Sequence, residues 1–124
     1  MKNKVITEYY SNGQIMCQEW YKNGMLHRDN DKPASIRYYE NGQSVYQMWY
    51  KNGILYRNND KPALIWYYPN GQIMCEKWYK NARLHRDNNK PALIRYYENG
   101  QLKYQDRYKN GVQEGLQEYW EPNK

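Results

Sequence analysis

A chain of 124 residues with 16 Tyr, 5 Trp, no Phe and a formal charge of +6 suits one domain and has no apolar run long enough for a membrane-spanning helix. Only 40% of the residues are hydrophobic and the mean hydropathy is -1.30, which excludes a thick dry core; Tyr and Trp, apolar in the body and polar at the tip, suit a thin sheet with partly wet faces. Two cysteines exclude the disulfide framework of small secreted domains.

The first ten residues, M-K-N-K-V-I-T-E-Y-Y, lack the apolar core of a secretory leader, so a cytoplasmic location, bacterial or host, is expected, with no integral membrane segment. Residues 5–10 alternate apolar and polar as a strand does. They lead to Asn12-Gly13, a second alternating segment, Asn23-Gly24 and then R-D-N-D-K-P at 28–33. The whole pattern then recurs every 29 residues. Gly13, Gly42, Gly71 and Gly100 are in register, as are Tyr10, Tyr39, Tyr68 and Tyr97, Pro33, Pro62 and Pro91, and Trp20, Trp49 and Trp78 with Arg107 as the fourth. One repeat domain over 1–124 follows, with copies at about 5–33, 34–62, 63–91 and 92–124, the last a shortened cap.

Each copy holds two hairpin signals. Asn-Gly supplies the left-handed residues of a two-residue turn; Ala82, which replaces the second glycine in the third copy, should carry a local cost. The excursion at 28–33, repeated at 57–62 and 86–91, has Pro and Asp/Asn, which interrupt a ladder and favour surface turns. It is absent from the last copy, where Glu114-Gly115 runs straight into the final strand. No segment has helical periodicity. The expected fold is all-β: an elongated antiparallel meander of about nine main strands, roughly 40 Å long.

A two-residue turn at Asn41-Gly42 pairs Glu40 with Gln43, Tyr39 with Ser44, Tyr38 with Val45, Arg37 with Tyr46, Ile36 with Gln47 and Ala34 with Trp49. Alternation then divides the side chains between two faces. Ala34, Ile36, Tyr38, Val45 and Trp49, with copies Ala63, Ile65, Tyr67, Met74 and Trp78, form the core face. The other face varies between copies. Its centre runs Glu8, Arg37, Trp66 and Arg95, paired with Cys17, Tyr46, Cys75 and Tyr104. Such variation fits a recognition surface and equally a neutral solvent face. Lys22, Lys51, Lys80 and Lys109 fall in the same turn of each copy and form a comb about 10 Å apart on one rim. This comb suits an anionic partner, or is a soluble turn. Lys, Asn and Tyr total 43 residues, so AT-rich codons are an alternative source of the charge. At the N-terminal edge, Ile6, Thr7 and Glu8 lie in an unblocked strand that could pair with a second copy or a partner; the alternatives are a monomer and a weak dimer. Pro122 and a charged tail are expected to blunt the C-terminal edge.

Catalytic and metal constellations are not recognisable, and no cofactor is implied. His27 and Asp29 recur as His85 and Asp87, but Tyr56 and Asn58 replace them in the middle copy; this reads as turn chemistry rather than a set of converging ligands. Cys17 and Cys75 are two repeats apart, about 19 Å by strand spacing and beyond disulfide reach, so free thiols are expected. The chain is read as a non-enzyme.

The pieces Y-Y-E-N-G-Q-L-K-Y and W-Y-K-N-G, closed by N-G-V-Q-E-G-L-Q-E-Y-W, resemble MORN repeats, and more closely the bacterial and viral variant found in proteins labelled antitoxins. The resemblance covers nearly the whole chain and implies a single-layer meander of hairpins with a role in protein or lipid contacts. The excursion departs from the family's shorter step, which is kept only at Glu114-Gly115. Three functions remain open. The first is a protein-binding neutraliser of a toxin, nuclease or defence effector, including an anti-CRISPR type of inhibitor. The second is binding of single-stranded RNA or other nucleic acid through the Tyr/Trp/Arg face and Lys comb. The third is a scaffold at a membrane surface.

Overall fold

The computed structural model describes residues 2–122. The first repeat forms β1 (Asn3–Tyr9), β2 (Ile15–Lys22) and β3 (Met25–Leu26). The second forms β4 (Ser35–Tyr38), β5 (Ser44–Met48), β6 (Tyr50–Lys51) and β7 (Ile54–Leu55), and the third β8 (Leu64–Tyr67), β9 (Ile73–Lys77), β10 (Tyr79–Lys80) and β11 (Arg83–Leu84). The chain ends with β12 (Leu93–Tyr96), β13 (Leu102–Lys109) and β14 (Val112–Tyr119). The main sheet runs β1-β2-β4-β5-β8-β9-β12-β13-β14, antiparallel throughout. The expected all-β meander of nine main strands is therefore present. In addition, β3 pairs antiparallel with the end of β2, and β6–β7 and β10–β11 form short side ribbons.

The two Asn-Gly series make different turns. In the second, Asn23 and Gly24 both have positive φ, 52° and 79°, and Lys22 faces Met25: a two-residue type I′ turn. Ala82 is forced into the same geometry, with φ 63°. In the first series only the glycine is left-handed, as at Gly42 with φ 89°. Gly42 N–H donates to Tyr39 O at 2.9 Å and Tyr39 N–H to Gln43 O at 2.7 Å. This is a three-residue loop closed by a glycine bulge. The Asn41 carboxamide oxygen accepts from Gln43 N–H at 2.9 Å, which holds Asn41 out of the left-handed region that a type I′ turn would demand. The expected pairs Glu40–Gln43, Tyr39–Ser44 and Tyr38–Val45 are thus replaced, with Tyr38 now opposite Ser44. A bulge at Val45 takes up the offset, so Arg37 faces Tyr46 and Ile36 faces Gln47 as expected.

Most of the core lies on the expected face, while Leu64 and Cys75 are buried on the opposite one. Ala34, Ala63 and Ala92 are at most 1% exposed, and Trp49 and Trp78 are buried beside them. The main-chain N–H groups of Trp20, Trp49 and Trp78 donate to the Ala34, Ala63 and Ala92 carbonyls, each at 2.8 Å. A small residue between successive indoles lets a single-layer sheet pack at interior density. Ile36 and Ile65 are buried in the adjoining row, while Tyr38, Val45, Tyr67 and Met74 are half-buried.

Along one rim the recurring tyrosines bind each repeat to the next. Tyr10, Tyr39 and Tyr68 hydroxyls donate to the carbonyls of Tyr38, Tyr67 and Tyr96 at 2.6, 2.8 and 2.8 Å. Tyr97 closes the series on Trp120 O at 2.8 Å. At the C-terminal end, β14 is exposed along its whole length, Leu116 at 88%. Pro122 lies beyond this strand, and the charged tail expected to blunt the edge with it runs past the described residues. Gly115 has φ 70°, and the register shifts between Gln105 and Arg107.

Candidate partner-binding face and the locks between repeats

On the face opposite the Trp/Ala core, register aligns one residue from every main strand: Glu8, Cys17, Arg37, Tyr46, Trp66, Cys75, Arg95, Tyr104 and Tyr119. The structure thus brings Arg37, Tyr46, Trp66, Arg95 and Tyr104 into one row, with the buried Cys75 between Trp66 and Arg95. Neighbours are about 4.8 Å apart, and the row spans roughly 40 Å. Tyr46 and Trp66 touch, their ring centroids 5.1 Å apart and their planes tilted by 55°. These five residues are half-buried. Tyr50 flanks the row; its hydroxyl lies 3.8 Å from Met48 Sδ, and burial raises its pKa above the ordinary phenol value, with Tyr46 next in effect.

The two cysteines sit in this row without being activated. Cys75 is 1% exposed, and burial raises its thiol pKa. Burial, then Glu8 and Glu19, does the same to Cys17. Both are free, and a thiol held in its protonated form is a poor nucleophile. Lys22, Lys51 and Lys80 do not join the row. They lie at the type I′ turns on a rim, Lys51 and Lys80 exposed and Lys22 half-buried.

That rim carries machinery the sequence reading missed. The excursions are exposed at their tips, yet each locks onto the repeat that follows. Asp31 Oδ1 accepts from Arg57 Nε at 2.9 Å, and its Oδ2 accepts from Lys61 Nζ at 3.0 Å and Arg57 Nη2 at 3.4 Å. Its main-chain carbonyl accepts from Trp49 Nε1 at 3.1 Å. Asp60 repeats all four contacts with Arg86, Lys90 and Trp78. The paired cations hold both carboxyls down to about 2. Each arginine also stacks on the Trp of its own repeat, at 3.6 Å for Arg28 on Trp20, 3.7 Å for Arg57 on Trp49 and 3.9 Å for Arg86 on Trp78.

A second lock uses histidine. His27 is buried; its Nδ1 accepts from Asn52 N–H at 3.0 Å, which leaves Nε2–H to donate to Asp29 at 2.9 Å. His85 does the same with Asn110 and Asp87, at 2.9 and 2.7 Å. These pairs bridge repeats, which is more than the turn role expected of them. The 26-residue offset between Asp31 and Arg57, and the recurrence of Trp, Arg and Lys around it, was the available signal; nothing local to either residue announces the contact.

Fold and face together define an open-ended scaffold of stacked β-hairpins whose repeats bind one another and leave one sheet face half-open. The MORN repeat variant family matches at residues 2–23, 64–81 and 93–110, which fall on the hairpins just described, and the chain is a MORN-like repeat protein. MORN repeats occur in binding and scaffold proteins. No curated protein and no solved structure matches the chain.

Proposed function

We propose that this chain is a non-enzymatic, cytoplasmic binding protein that neutralises a protein partner by covering it with the arginine and aromatic face, in the manner of an antitoxin or of an inhibitor of a nuclease or other defence effector. The supporting observation is the row itself. Arg, Tyr and Trp are the residue types that dominate binding energy at protein interfaces, and here Arg37, Tyr46 and Trp66 are consecutive and Arg95 and Tyr104 follow beyond Cys75, all five preorganised by the sheet and half-buried. Rigid presentation lowers the ordering cost of association.

The test is affinity capture from the native cell with the wild-type chain and with Arg37→Glu and Arg95→Glu variants, followed by binding measurements on the purified partner. A stoichiometric protein whose affinity falls about thirtyfold or more in the variants, as for an interface hot spot of about 2 kcal/mol, supports the reading. A partner bound equally well by both forms removes the row from the interface. Salt-sensitive binding of single-stranded RNA that the same variants abolish would replace the reading with a nucleic-acid one.

A further inference from the structure

The aspartate lock has a receiving half and an inserting half. At the N-terminal end of the sheet the receiving half is present alone. Trp20, Arg28 and Lys32 occupy the positions of Trp49, Arg57 and Lys61 one repeat earlier. Arg28 is held as Arg57 is. It stacks on its own Trp, and its Nη1 donates to Pro33 O at 3.2 Å, where Arg57 donates to Pro62 O at 3.1 Å. The position held by Asp31 and Asp60 in the later locks falls on Lys2. Among the described residues, no carboxylate meets Arg28 Nε and Nη2 or Lys32 Nζ, and no acceptor meets Trp20 Nε1. A pocket of about 330 Å³ opens there, lined by Lys4, Trp20, Arg28 and Lys32 among others. Its one carboxylate, Asp29, is taken by His27.

We propose that this N-terminal junction binds an aspartate-bearing turn of a protein partner, with the carboxylate on Arg28 and Lys32 and the main-chain carbonyl of the same aspartate on Trp20 Nε1. The chain displays the required ligand twice. Asp31 and Asp60 each have φ 55° and follow a left-handed Asn, at 65° and 61°, and this geometry lets one residue present both its carbonyl and its carboxylate to the same site. Glutamate adds a methylene and does not keep both contacts at those lengths; asparagine loses the charge that makes the bidentate guanidinium bond strong. A second copy of this chain is a poor occupant. Its last excursion has the right backbone, with φ 63° and 58° at Asn88 and Asn89, but offers an amide in place of the acid. The site lies on the rim, apart from the aromatic row, and stands or falls without it.

The probe is a head-to-tail cyclic peptide of residues 56–63, Tyr-Arg-Asn-Asn-Asp-Lys-Pro-Ala, titrated into the full ¹⁵N-labelled chain. The Trp20 indole N–H and Arg28 Nε–H signals should shift saturably at low-millimolar peptide, while those of Trp49 and Trp78, whose indoles are already bonded, stay in place. Peptides with Asn or Glu for the Asp should bind about tenfold more weakly. Arg28→Gln should abolish binding, and Lys32→Glu, at an exposed position, tests the site without disturbing the stack on Trp20. An unmoved Trp20 signal, equal binding of the Asn peptide, or equal shifts at all three indoles overturns the proposal. So does self-association of the wild-type chain that Lys32→Glu removes, which would assign the site to a second copy.

Discussion

Between the first and second repeats, both locks are closed. His27 receives Asn52 N–H, Gly53 N–H donates to Leu26 O at 2.8 Å, and Asp31 clamps Arg57 and Lys61. Between the second and third, Tyr56 stands for His27, Asn58 for Asp29 and Ala82 for Gly53, and among the described residues the Asp60 clamp alone joins the rim. No bond corresponding to Gly53–Leu26 joins Ala82 to Leu55 among the described residues, although the third junction regains it at Gly111–Leu84, 2.8 Å. The histidine and the turn glycine are therefore present together or absent together. They form one device, in which the turn tip is held against the preceding repeat by two adjacent backbone N–H groups. On this rim the first junction is doubly secured, and the middle one, among the described residues, has the Asp60 clamp without the histidine lock.

Asp60→Asn tests that difference most directly. It strands Arg86, whose side chain is only 14% exposed, and should cost about 1–2 kcal/mol after allowance for solvent screening. Because stability in a repeat array is carried by neighbouring interfaces, urea unfolding should broaden as the two halves separate. Asp31→Asn, backed by the histidine lock, should cost about half as much; equal costs for the two would break the comparison.

Ala82→Gly should stabilise the chain by about 1 kcal/mol, since a left-handed alanine is strained and glycine is not. Adding Tyr56→His and Asn58→Asp to it should install the missing lock. The sign of success is a slowly exchanging amide at Asn81, read by hydrogen exchange, that Ala82→Gly alone does not produce.

Acid should act on the same clamps. Asp31 and Asp60 have folded pKa values near 2 against an ordinary 3.8. Their contribution is fully present above about pH 4 and is lost as the pH falls through about 2. Stability should therefore decline across that window at low salt, and Asp31→Asn combined with Asp60→Asn should flatten the decline. An undiminished slope in the double variant would assign acid sensitivity elsewhere.

The smallest effect on stability is expected at the sheet edge. Asn23 N–H donates to Lys2 O at 2.9 Å, so by ladder alternation Asn3, Val5 and Thr7 turn their backbone groups outward. Thr7→Pro should leave the junctions within about 0.5 kcal/mol of wild type while removing any dimer or partner strand that pairs with β1. A sedimentation profile unchanged from a dimeric parent would exclude this edge as the interface.

Much of this architecture is legible in the chain. Alternation assigned Trp49 and Ala63 to one face and Arg37 and Trp66 to the other, because strand side chains have a period of two, and the 29-residue recurrence announced the stacking. The Arg37–Tyr46 pairing was read correctly even though the turn beside it was not: a three-residue loop and the bulge at Val45 shift the register in opposite senses, and only the backbone path shows the two offsets. Tyr10, Tyr39 and Tyr68 stand out in the sequence only as a recurring position; they are staples, since their hydroxyl acceptors belong to the next copy.

By itself, then, the sequence determined the period, the strands, the positions of the turns and the two faces, all of which follow from residues within one hairpin. The tertiary structure decided the class of each Asn-Gly turn, the locks from Asp31 to Arg57 and from His27 to Asn52, and the open receiving half at Trp20 and Arg28. Those depend on how one repeat lies on the next, and a contact made across 25 or 26 residues has no local pattern until the stacking of the strands brings its partners together.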